Sequence, residues 1–180
     1  MTSAARRLLV AAPTLLDPNF SHTVVFVVEH TAEGALGVVL NRPTAQPVDE
    51  VLSRWAPLAA PPARLFVGGP VQADDALVAL GRAAPGTQPV AGPVDESGTW
   101  QPLLGAVGSM DLGGAPEDAR PAVEAIRAFV GYAGWGPGQL DAEVDDLLTD
   151  APDRLWRRVL RRQGGALAMA ANQPADPTVN

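Results

Sequence analysis

The chain has 180 residues, a formal net charge of −7 and an isoelectric point near 4.7, with no cysteine and no lysine. Absence of cysteine excludes disulfides, thiol nucleophiles and cysteine-ligated zinc or iron–sulfur centres. The acidic balance opposes the basic footprint that phosphate neutralisation needs, so nucleic acid is the less favoured partner class. A hydrophobic fraction of 47% with 18% charged residues suits one folded core, and the length predicts a single domain over 1–180.

The N-terminus, with Arg6-Arg7 before Leu8-Leu9-Val10, mimics the charged start of a signal peptide, but Pro13, Thr14 and Asp17 interrupt the apolar run. It reads as a first strand over 8–12 in a cytoplasmic protein, and no run approaches the roughly 18 apolar residues of a membrane span. A second strand over 23–28 (TVVFVV) and a third over 35–40 (ALGVVL) flank Gly34 at hairpin spacing. Apolar positions 48, 51, 52 and 55 predict a short helix over 48–55. A strand over 64–67 runs into the turn Gly68-Gly69-Pro70, and another is expected over 76–80.

From 81 to 101 the Gly- and Pro-rich composition reads as an irregular excursion. Residues 103–112 return to strand composition, 116–122 open a helix with Glu117 and Asp118 in its first turn, and 125–132 is ambiguous in period. Amphipathic helices are expected over 139–148 and 153–163, the second ended by Gly164-Gly165. The tail 172–180 reads as a mobile end or a surface strap. Strands and helices without strict alternation give the class α+β.

No constellation amounts to an active site. His22 and His30 stand about 26 Å apart if both lie on one extended strand, too far to share a metal. Ser21-His22, and Ser109 with Asp111, supply hydrolase atoms without a Gly-x-Ser-x-Gly elbow. Glycine-rich stretches lack the lysine of a phosphate loop. The reading is therefore a non-catalytic protein with no metal and no cofactor.

Two surfaces remain. Arg154, Arg157, Arg158, Arg161 and Arg162 share one helical face that could meet phosphates, although six acidic residues between 141 and 153 stand ready to neutralise it. The stretch 131–140 (GYAGWGPGQL) demands a particular backbone and offers Tyr132 and Trp135 as an aromatic wall, with Gln139 at a helix start. A strand-to-helix turn pinned by a buried Trp135 is the competing reading.

The blocks AAPTLLDPNFSHTVVFVVEHTAEGALGVVLNRPT, FVGGPVQADDALVAL, FVGYAGWGPGQLDAEV and LWRRVLRRQGGALAMAANQPADPTVN resemble, in order and nearly end to end, the YqgE/AlgH (UPF0301) family. The resemblance implies a bacterial α+β domain with a bifurcated, mixed sheet curled toward a pseudo-barrel and flanking helices, and a strand over 126–132. It also implies a role in transcriptional regulation or protein interaction, with no agreed catalytic residue. One departure stands out: the family's Trp-containing strand is missing between Val144 and Trp156. The expected binding surface, for a protein partner, is Glu29, His30, Asn41, Arg42, Tyr132, Trp135, Gln139 and Glu143. The alternatives are a small-molecule groove or weak hydrolase near Trp135, or DNA on the arginine face.

Overall fold

The computed structural model describes residues 4–11, 16–87, 100–119 and 122–136. The early β-branched runs form the strands expected of them. Strands β1 (Leu8–Val10), β2 (Val24–Thr31) and β3 (Gly34–Val39) pair antiparallel, with β2 and β3 joined as a hairpin. Strand β4 (Pro43–Pro47) follows, then α1 (Val48–Val51), a 3₁₀ turn (Ala56–Leu58), β5 (Arg64–Val67) and β6 (Leu77–Ala83). After these come β7 (Trp100–Leu104), β8 (Val107–Met110), α2 (Pro116–Ala119), β9 (Val123–Val130) and β10 (Ala133–Trp135).

Two open sheets result. One is antiparallel with order β1-β2-β3-β10; the other has order β4-β5-β9-β6-β8-β7 and is mixed, because β5 and β9 run parallel. They stack face to face on a shared core. Leu8, Val24, Phe26, Val38 and Leu40 of the smaller sheet meet Phe66, Leu80, Val107 and Phe129 of the larger. Phe66 and Phe129 are fully buried with ring centroids 5.8 Å apart and planes tilted by 57°, an arrangement aromatic pairs favour. The far face of the larger sheet carries a second cluster in which Trp55, Leu58, Trp100, Met110 and Ile126 pack with α2.

The expected pseudo-barrel is corrected by this topology. Among the described residues neither sheet closes: β1 and β10 are the edges of one, β4 and β7 of the other. The chain steps between sheets instead of curling one sheet round. The step is made where Gly68-Gly69 crosses Gly131-Tyr132 in backbone contact. A Cβ on Gly68 would lie 2.2 Å from the Gly131 carbonyl oxygen, and Gly131 takes φ 67°. Glycine alone fits that approach. Hydrogen bonds from Gly68 N to Val130 O and from Val39 N to Gly68 O, both 2.8 Å, tie the two sheets at this point.

The strand expected over 103–112 is a hairpin, since Gly105 at φ 53° turns β7 into β8. The helix expected over 48–55 is one turn continued by looser turns to Trp55, whose indole donates to Leu112 O. Both helices expected beyond 138, and the missing strand, fall outside the described residues.

Candidate functional site

Residues pointing the same way across the smaller sheet define its outer face. His30 lies opposite Ala35, and Ala35 opposite Trp135, so these three form one row across β2, β3 and β10. Val27, Gly37 and Ala133 form the next row, and Leu9, Val25 and Val39 the one after. This is the face opposite the inter-sheet core. Trp135 leans along it: a Cβ on Gly37 would stand 3.2 Å from the indole, so the absent side chain makes room for the ring. Glu29 sits opposite Leu36, on the other face and exposed. In the adjoining turn, a hydrogen bond from the Thr31 hydroxyl, the largest cause, holds the Glu33 carboxyl below its ordinary pKa.

Beside Trp135 opens a recess of about 250 Å³ lined by Leu9, Val10, Ala11, Phe20, Thr23, Val25 and Trp135. Among the described lining residues none carries a titratable side chain. The Thr23 hydroxyl donates to Phe20 O at 2.6 Å, and Ala11 N donates to Thr23 O at 3.0 Å, so these polar groups are committed to one another.

The wall bearing Phe20 is a loop over residues 17–22, and its placement is heavily specified. Asp17 starts it: its carboxylate accepts from Asn19 N at 2.8 Å, and its carbonyl accepts from Phe20 N and Ser21 N, the turn geometry short acidic side chains favour. Asn41 then brackets the loop's exit. Its Oδ1 accepts from Val24 N at 2.9 Å while Nδ2 donates to His22 O at 2.8 Å. The Arg42 guanidinium donates to Pro18 O at 2.9 Å and Ser21 O at 3.1 Å. His22 is held at φ 56°, a conformation that costs energy for a non-glycine residue.

The wall formed by β1 is fixed from its other end. His30 Nδ1 accepts from Ala4 N at 2.8 Å, which makes it the unprotonated ring nitrogen, and Arg6 N donates to Val27 O at 2.8 Å. Removing the imidazole should loosen this end without unfolding the protein. We expect His30→Ala to cost about 1 kcal/mol and to speed amide exchange at Ala4 and Arg6 selectively. Unchanged exchange there would show that the bond does not hold the segment.

The residues singled out by sequence therefore divide. His30 and Trp135 share a row, whereas Asn41 clamps the opposite end of β2, about 20 Å from His30 for six extended residues. Asn41 and Arg42 reach the recess through Phe20. Tyr132 is half-buried at the crossing, exchanging backbone hydrogen bonds of 3.0 Å with Val71. Gln139, Glu143 and the arginine face at 154, 157, 158, 161 and 162 lie outside the described residues. Leu9, Val10, Ala11, Thr23 and Val25 were not anticipated as lining. Their signal was strand composition, which looks the same whether a face is filled or recessed.

Among the described residues the serines and Asp111 do not form a triad with His22. Ser21 Oγ is 2.7 Å from His22 Nδ1, but Ser109 lies on β8 of the other sheet and the Asp111 carboxylate accepts from Gly113 N in the turn after it. Among the described residues no three His, Cys, Asp or Glu side chains are grouped to hold a metal, and no helix is long and apolar enough to cross a membrane.

The sequence matches the AlgH-like family model over residues 8–168. It is 46% identical over 195 aligned positions to a UPF0301 protein of Streptomyces coelicolor, covering 100% of this chain and 97% of the relative. A UPF0301 protein of Thermobifida fusca is 45% identical, with 96% and 93% covered. The crystal structure of a Corynebacterium diphtheriae protein superposes with TM-score 0.82 at 28% identity, covering 96% of this chain and 93% of that one. The solution structure of AlgH from Pseudomonas aeruginosa gives TM-score 0.58 at 28% identity, covering 96% and 95%.

Proposed function

Since the chain belongs to the YqgE/AlgH (UPF0301) family, we propose that it is a non-catalytic, single-domain cytoplasmic protein that regulates by binding, with the recess beside Trp135 as its contact site; Val25, Val27, Val39 and Ala133 on the rest of that face are buried. The carrying observation is the recess itself: half-buried aromatic walls, no titratable group among the described lining residues, and two separate clamps, one on the loop bearing Phe20 and one on the segment leading into β1. A site built for proton transfer or nucleophilic attack would place such groups inward. A site built for recognition needs shape and apolar area, which this one has.

A protein partner is the leading reading. Small-molecule binding is the second, favoured by the recess volume, which suits a compact group more than a flat interface. DNA binding through the arginine face fits the acidic chain least.

The test is purification of partners from the native cell with wild type and with Trp135→Ala, using Glu50→Ala on α1 as a surface control. A specific partner retained by the control and reduced at least about tenfold by Trp135→Ala is expected. A partner held equally by all three would place the contact elsewhere, and one released steeply by salt together with nucleic acid would favour the DNA reading.

A further inference from the structure

We propose that the recess beside Trp135 is a binding site for an uncharged aromatic small molecule of one ring or two fused rings; this rests on the small-molecule reading above. Size comes first. An engineered apolar cavity of roughly 150 Å³ holds one benzene, so an open recess of about 250 Å³ can seat one ring or a fused bicycle. Polarity comes second. The described lining is Leu9, Val10, Ala11, Phe20, Thr23, Val25 and Trp135, and the Thr23 hydroxyl already donates to Phe20 O. A charged ligand would surrender hydration here without a compensating partner.

Shape favours a flat ligand. Phe20 and Trp135 supply rings from two different elements, and aromatic surfaces gain from offset or edge contacts beyond the area they bury. Preorganisation supports binding over collapse: the loop bearing Phe20 is pinned by Asn41 and Arg42, and the segment leading into β1 by His30. With the loop and that segment held, less ordering is required when a ligand enters.

The probes are indole and its charged counterpart indole-3-carboxylate, titrated into the full-length protein and followed by the Trp135 indole N–H resonance and the Val25 amide. Saturable shifts with indole, and affinity at least about tenfold weaker for the carboxylate, are expected. Ala11→Leu should plug the recess and abolish the indole shifts while the rest of the spectrum stays folded. Should that variant misfold, Phe20→Ala on the surface loop gives the same test, with at least about fivefold weaker binding. Absence of saturation with wild type, equal affinity for both probes, or undiminished binding by a folded variant would overturn the proposal. If indole fails while Trp135→Ala still loses a protein partner, the ligand class falls and the binding reading stands. If both fail, both fall.

Discussion

Gly68→Ala will lower the protein's stability sharply. Its Cβ would stand 2.2 Å from Gly131 O and 3.0 Å from Phe129 Cβ, and neither neighbour is a flexible side-chain end. The backbone of one crossing strand must move, taking with it the hydrogen bonds from Gly68 N to Val130 O and from Val39 N to Gly68 O. Overpacking a well-filled core costs about 1–3 kcal/mol, and displacing backbone that joins two sheets belongs at or above that upper end. Because a domain of this size is stable by roughly 5–15 kcal/mol, such a loss is visible in urea unfolding as a large fall in midpoint. Gly86→Ala is the matched control: φ is 87° but nothing lies within 4 Å of the added carbon, so only the conformational cost of about 1 kcal/mol applies. Similar losses for the two variants would show that the crossing tolerates spreading.

Asn41→Leu should be the most damaging change near the recess. The two side chains are close in size, yet leucine leaves Val24 N and His22 O, which the amide serves at 2.9 and 2.8 Å, without those partners. Each abandoned backbone group costs about 1–3 kcal/mol when buried, so a loss of about 2–6 kcal/mol is expected, nearer the lower end because both bonds are only part-buried. The effect should also reach the recess. With the exit of the 17–22 loop released, Phe20 loses its fixed position and indole binding should weaken at least about tenfold. Asn41→Asp keeps an acceptor for Val24 N but loses the donor to His22 O, so it should fall between wild type and leucine. If Asn41→Leu destabilised the protein but left indole binding unchanged, the clamp would have no role in shaping the recess.

Much of the strand framework was legible because β-branched, apolar runs leave few alternatives. Strand β5 falls where expected, and the β2–β3 hairpin is announced by Gly34 between two such runs. Strand β4 was not legible: it begins and ends with proline and carries Thr44, Ala45 and Gln46, a composition that suits only a sheet edge. Strand β10 was hidden by its three-residue length and by glycine, which serves the crossing and the hairpin equally well. The separation into two open sheets could not be read at all, since strand pairing across the sequence leaves no local pattern.

The candidate site shows the same division. Trp135 and His30 were both expected on one surface, and the register puts them in one row. Asn41 and Arg42 were expected as contact residues, but their side chains are spent on backbone groups of the 17–22 loop. A sequence does not distinguish a polar residue that meets a ligand from one that holds the wall beside it. Phe20 carries the connection between the two ends of the site, and its importance emerges only once the loop is seen to fold back beside Val25 and Trp135.

The claim that this protein works through the Trp135 recess is tested most directly by mapping amide and indole chemical-shift changes across the whole chain on addition of indole. The account predicts that the largest changes fall on Leu9, Val10, Ala11, Phe20, Thr23, Val25 and the Trp135 indole, and that they vanish in folded Ala11→Leu. Largest changes on the β4 or β7 edge of the other sheet, or changes that persist in the plugged variant, would contradict it.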